Sequence, residues 1–181
     1  KIPLLETSKS TRYPVLGASW QPRAGIAHHD ALARGFARAA NRLGVELIEN
    51  CEVTGMDVEG GRIKGVQTTQ GYVKADRVGC VPSGHSTMLA GMAGFRMPLE
   101  SHPLQAFVSE SMQRCIDTVI MSNAVHGYLS QSDKGELVIG SGTDQYVSYS
   151  QRGGLPLIEH TVAAICEVFP IFNRMRMLRK W

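Results

Sequence analysis

Four β-rich stretches in the second half of the chain, "HPLQAFVSESM", "TVIMSNA", "HGYLSQSD" and "ELVIGSGTD", are joined by links too short to hold a crossover helix. Parallel neighbours need a dozen or more residues between them, so these strands are expected to pair antiparallel. Asp133-Lys134-Gly135 marks one of the reversals. Next, "LPLIEHTVAAICEVFP" places Ile158, Val162, Ile165 and Val168 on one face of a helix, and Pro170 ends it. The closing run interleaves Arg174, Arg176, Arg179 and Lys180 with Met175, Met177 and Leu178, a pattern that suits a strand. An antiparallel sheet with a helix packed on it is the expected product.

The first half reads differently. After the loop "GASWQPRAG", Leu32, Phe36, Ala39, Ala40 and Leu43 recur at helical spacing, and Gly44 supplies the stop. "VELIEN" is expected as a short buried strand, which makes a helix-to-strand unit of α/β type. "CEVTGMDVEGGRIKGVQTTQGYVKADRVGCV" follows as a meander that reverses at Gly60-Gly61 and Gln70-Gly71. Val78 to Val81 reads as an apolar strand with neighbours on both sides. It runs into Pro82-Ser83-Gly84 and a helix from about His85 to Ala93. Such a turn can face a phosphate, because free N–H groups point outward there. A tight structural turn is the alternative. Met88, Met92 and Met97 are expected to fill core space rather than line a cofactor.

Composition excludes several classes. A chain of 181 residues holds one domain or two small ones. The net charge of +3 is spread thinly, without the basic stripe that nucleic acid requires. Cys51, Cys80, Cys115 and Cys166 lie far apart, so they read as reduced thiols of a cytoplasmic protein rather than a disulfide framework or zinc site. No apolar run is long enough to cross a bilayer, and no signal-peptide pattern is present. Neither nucleic acid nor membrane is an expected partner. The chain opens without Met and stops on Trp181 within a strand-like run, so it is expected to be an internal piece of a longer protein.

Candidate chemistry centres on His28, His29 and Asp30, which open the first helix. Asp30 suits a cap and the positive end of the helix dipole. The alternative is an imidazole placed for chemistry. Three consecutive residues cannot all face one metal from a helix, so no metal site is expected. "GSGTDQ" lacks the last glycine of a dinucleotide fingerprint, and "PSGHS" lacks the glycines of a nucleophile elbow.

The segments "GASWQPRAGIAHHDALARGFARAANRLGVEL", "CEVTGMDVEGGRIKGVQTTQGYVKADRVGCVPSGHS", "PLESHPLQAFVSE" and "TVIMSNAVHGYLSQSDKGELVIGSGTD" together resemble the β subunits of heterotetrameric sarcosine oxidases, within the D-amino-acid oxidase-like flavoproteins. The likeness runs through nearly all 181 residues and is most specific at "HDA" and "SQSDKGELVIG". It implies a mixed α/β (α+β) fold. Residues 1–26 would be an entering loop of the substrate domain, and 27–95 part of a Rossmann-like FAD-binding domain carrying the meander. Residues 96–181 would be part of an antiparallel-sheet substrate domain with a packed helix.

The resemblance also implies an activity. Such enzymes oxidise sarcosine by hydride transfer to non-covalent FAD; electrons then pass to a covalent FMN and to O₂. Tetrahydrofolate can capture the product, and α, γ and δ subunits are the protein partners. The family histidine that carries FMN precedes Asp-Ala, which is His29 here; where the family has arginine, this chain has His28. The resemblance puts Val53 at a backbone contact to the adenine of FAD, and Ser83 and Gly84 at the turn beside its ADP portion. His126 and Tyr128 would lie on a strand facing the amine, with ordinary sheet residues as the alternative. The glycine-rich unit that cradles FAD has no counterpart in the sequence, so the isolated chain is expected to hold little FAD and to be inactive. A relative acting on dimethylglycine, proline or another secondary amine stays open. So does a non-catalytic folded module that contacts the α subunit.

Overall fold

Apolar side chains are shared unequally between the two units of the computed structural model, which describes residues 2–8, 11–151 and 153–181. Residues 19–99 form one unit; 100–181 with the N-terminal stretch to Ala18 form the other.

In the 19–99 unit, α1 (His29–Arg42) forms where the helical spacing predicts it. Gly44 at φ +89° reverses the chain, so its N–H donates to Asn41 O at 3.0 Å and Val45 N–H donates to Ala40 O at 3.1 Å. Strands β1 (Val53–Glu59), β2 (Arg62–Thr68) and β3 (Gly71–Lys74) form the expected antiparallel meander, in the order β1-β2-β3. Met56 lies opposite Val66, and Val66 opposite Val73. A 3₁₀ turn, Ser83–His85, leads into α2 (Ser86–Met92), which packs on β1.

Two expected strands do not form. Residues 45–50 and 78–81 are irregular, with Val45, Leu47 and Ile48 about half exposed and Val81 93% exposed. A strand exists through its ladder partner, and among the described residues neither segment has one. The expected core role of the methionines fails with them: Met88 and Met92 are exposed and Met97 is half-buried. Nothing on α1 is buried either, although Leu32, Phe36 and Leu43 form its apolar stripe.

The second unit has the core. Strands β4 (Ala106–Ser111), β5 (Ile120–Ser122), β6 (Gly127–Gln131), β7 (Glu136–Ser141) and β8 (Met177–Lys180) form one antiparallel sheet in the order β5-β6-β7-β4-β8. Helix α3 (Leu155–Val168) covers one face. Phe107, Leu129, Leu137 and Ile139 meet Ile165, Val168, Phe169 and Phe172 there, and Ile2, Leu4 and Leu5 pack against the same cluster. The buried face of α3 departs from the predicted one: Thr161 is fully buried and Ala164 is 8% exposed, whereas Val162 is 40% exposed. Thr161 loses little by burial because its hydroxyl donates to Leu157 O at 2.7 Å, one turn back.

Buried Gln131 ties the loop after β4 to the sheet. Its Oε1 accepts the N–H groups of Cys115 (2.7 Å) and Ile116 (3.0 Å), and its Nε2 donates to Gly135 O (2.9 Å) and Gln113 O (3.2 Å). Strand alternation then sorts β6: Gly127, Leu129 and Gln131 face α3, while Tyr128 and Ser130 stand on the opposite face.

Candidate functional site

His28 is the N-cap of α1, and it makes no side-chain cap bond. Asp30 is the second helical residue and caps nothing, which corrects the capping role expected for it; its charge still sits in the first turn, where the dipole favours it. His29 projects into solvent with its side chain 91% exposed, and its Nε2 lies 3.5 Å from Asp30 Oδ1. The carboxylate can therefore steady the ring without covering it. An exposed, oriented imidazole is a competent nucleophile and proton carrier.

Val53 opens β1, half-buried, opposite Thr68. Ser83 is exposed and left-handed, at φ +53°, directly after Pro82 at φ −87° and ψ 16°. Pro82 has no N–H, so this alternation of hand lacks the first donor of an anion-binding row. The turn is fixed by Ser86 Oγ, which donates to Ser83 O at 2.7 Å. A left-handed backbone at a non-glycine residue costs roughly 1–3 kcal/mol and concentrates at functional positions.

His126 is not on the strand where it was expected. It ends the turn before β6, exposed, at φ +48°, and its carbonyl accepts Gly142 N–H at 3.2 Å. The left-handed turn requires this: a residue in the ladder must be extended. Tyr128 is on β6, and its ring lies across Gly140, which pairs with it on β7; a Cβ on Gly140 would meet the ring at 2.5 Å. Burial pushes the Tyr128 phenol above its ordinary range, so it stays protonated and can donate. Among the described residues its hydroxyl has no hydrogen-bond partner. The structure thus places His29, Val53 and Ser83-Gly84 in one unit and His126 and Tyr128 in the other.

The four cysteines are free thiols. Burial pushes the Cys166 thiol up, and burial followed by Asp117 does so at Cys115, which makes both poor nucleophiles. Gln105 escaped the sequence reading. It is 4% exposed, and among the described residues neither of its amide atoms has a hydrogen-bond partner. A lone amide heading the apolar run Ala106-Phe107-Val108 is the only sequence signal that could have found it.

Residues 3–181 match the family model described as FAD dependent oxidoreductase. The chain is 53% identical over 180 residues to sarcosine oxidase subunit beta of Rhodobacter capsulatus, covering 99% of this chain and 43% of that protein. It is 51% identical to the subunit of the same name from Arthrobacter, covering 99% and 44%. The chain therefore spans less than half the length of these relatives. Among solved structures, L-proline dehydrogenase from P. horikoshii superposes with a TM-score of 0.87 at 27% identity, covering 99% of this chain and 48% of that one. Glycine oxidase from Bacillus cereus, at TM-score 0.65 and 19% identity over 83% of this chain and 41% of that one, shares the fold.

Proposed function

Because the chain belongs to the FAD-dependent oxidoreductase family, we propose that it is part of a flavin enzyme that oxidises sarcosine. The observation that carries this reading is the 46–53% identity to three sarcosine oxidase β subunits over 99% of the chain. The donor set supports a flavin. His29 offers an uncovered imidazole beside a carboxylate, and Ser83 holds a left-handed turn at the entry to α2.

When bound, FAD supplies the acceptor for the hydride that leaves the amine carbon. Val53 holds the adenine through its backbone, and Ser83-Gly84 borders the ADP portion. Tyr128, kept protonated by burial, would offer a hydrogen-bond donor to the amine on the sheet face opposite α3. His126 stands at the start of that strand. His29 holds FMN through an imidazole nitrogen, with Asp30 orienting the ring. In the whole assembly, α, γ and δ subunits complete the sites, tetrahydrofolate takes the product's one-carbon unit, and O₂ takes the electrons, in the cytoplasm. The isolated chain holds little FAD and is inactive.

Mass spectrometry of the tryptic peptide from Ala24 to Arg34, taken from the co-expressed complex, tests the anchor. Flavin mass on His29, lost in His29→Ala while FAD stays bound, is the expected result; flavin on His28 overturns the assignment. The superposition on L-proline dehydrogenase favours a second reading, in which the amine is L-proline. Anaerobic flavin bleaching by sarcosine, dimethylglycine and L-proline in the same preparation ranks the three, and sarcosine is expected to be fastest.

A further inference from the structure

We propose that Gly140 is a positioning residue for the amine site: by carrying no side chain it lets the Tyr128 ring lie across β7, and so aims the phenol hydroxyl. The inference rests on the reading of Tyr128 as a hydrogen-bond donor to the amine, and adds the residue that places it.

Tyr128 on β6 pairs with Met121 on β5 and with Gly140 on β7, and Gly140 pairs in turn with Ala106 on β4. Directly paired residues point the same way, so these four make one row across the sheet face opposite α3. The ring leans toward the small end of that row. A Cβ on Gly140 would lie 2.5 Å from Tyr128 Cε1 and 2.6 Å from both Cζ and the hydroxyl oxygen. Carbon atoms in contact keep about 3.5–4.0 Å apart, so alanine at 140 would push the outer end of the ring away by about 1 Å or more. The three atoms such a Cβ would meet first all belong to the tip of the Tyr128 side chain, and Gly140 has no left-handed backbone. The strand itself tolerates a side chain at 140; the ring does not.

A second tyrosine gives the contrast. In the 19–99 unit the Tyr72 hydroxyl lies over Gly65, but there a Cβ would also strike Val73 O at 2.5 Å, so the backbone itself requires glycine. The Tyr72 hydroxyl donates to Asp57 Oδ2 at 3.1 Å, so its polar end is used within its own sheet. Among the described residues the Tyr128 hydroxyl has no such partner. A ring laid over a strand glycine stabilises a sheet in its own right, yet phenylalanine would cover Gly140 equally well. The hydroxyl is the part that serves something outside the sheet, and a misplacement of about 1 Å is enough to spoil a productive contact.

Two measurements test this. In the 181-residue chain with ¹³C-labelled tyrosine, one of five ring signals is absent from Tyr128→Phe, which assigns it. That signal is expected to shift in Gly140→Ala while a single cooperative melt is kept. In the co-expressed complex, anaerobic flavin bleaching by sarcosine reads the function. Tyr128→Phe and Gly140→Ala should each lower the ratio of bleaching rate constant to apparent Kd by about three- to tenfold, the size of one lost hydrogen bond. The double variant should lose no more than Tyr128→Phe alone, because both changes act through one hydroxyl; a merely structural glycine would add its own loss. An unshifted ring signal, unchanged bleaching in either single variant, or additive losses in the double variant overturns the proposal. So does a Gly140→Ala chain that fails to fold, since the strand would then need glycine for its own sake. A wild-type complex whose flavin is bleached by none of sarcosine, dimethylglycine and L-proline overturns the oxidase reading instead, and the ring signal still decides whether Gly140 places the phenol.

Discussion

The two units have nearly opposite relations between pattern and burial. Between Ser19 and Leu99 the helix and meander form on local cues, yet Ala90 is the only buried apolar side chain among the described residues there. Between Glu100 and Trp181 the strands and α3 share one continuous cluster from Phe107 to Phe172. Helix α1 has the stronger apolar–polar segregation of the two long helices by sequence, but its stripe ends on Phe36 at 74% exposure and Leu43 at 86%. Amphipathic patterning thus sets which face would be covered, while stability comes only once something covers it.

The largest effect should appear in hydrogen exchange. Amides of α1 are expected to exchange at least about a hundredfold faster than those of Leu137 and Ile139 in β7, since local opening spans from nearly zero to the global stability. Equal protection would break the comparison. Truncation sharpens it: Leu137→Ala, at 0% exposure, should cost about 2–5 kcal/mol in denaturant melts, whereas Phe36→Ala should stay within about 0.5 kcal/mol. A large cost at Phe36 would mean that the stripe is covered in solution, and light scattering would show it as self-association. Replacing Gln131 by Leu strands the N–H groups of Cys115 and Ile116, at about 1–3 kcal/mol for each donor left unpaired. No substitution at an exposed residue of the 19–99 unit should match that.

The smallest effect is a pH dependence. The folded-state value of Tyr128 is raised above 10.0 by burial, so its contribution is fully present below that pH and is lost as pH rises through the higher folded value. Melting curves of wild type and Tyr128→Phe should therefore run parallel at neutral pH. Above pH 10.0 only the wild type should lose this increment.

Elements whose evidence is local were legible in sequence. Gly44 ended α1, Gly60-Gly61 and Gln70-Gly71 turned the meander, and short links made the second sheet antiparallel. What failed was any element defined by a distant partner. "VELIEN" and Val78 to Val81 have strand composition, but composition does not supply a ladder. The face of α3 was misread at Val162 because an apolar scale ranks threonine as polar and ignores its bond to the preceding turn. Of the candidate site, residue identities came from resemblance. The left-handed backbones at Ser83 and His126, and the burial of Gln105, depend on three-dimensional context that no window of sequence contains.

The Gln131 amide has a consequence for how this chain can change length. By accepting two successive N–H groups and donating to two carbonyls, it does for residues 113–116 what a neighbouring strand does elsewhere. That loop cannot gain or lose a residue without misaligning the three bonds it makes with Gln131, the fourth being to Gly135 O in the β6–β7 turn. The turn at Asn123-Ala124 is exposed at both positions. Variation in loop length, whether by drift or by engineering, should therefore accumulate at the β5–β6 turn and be rejected between β4 and β5.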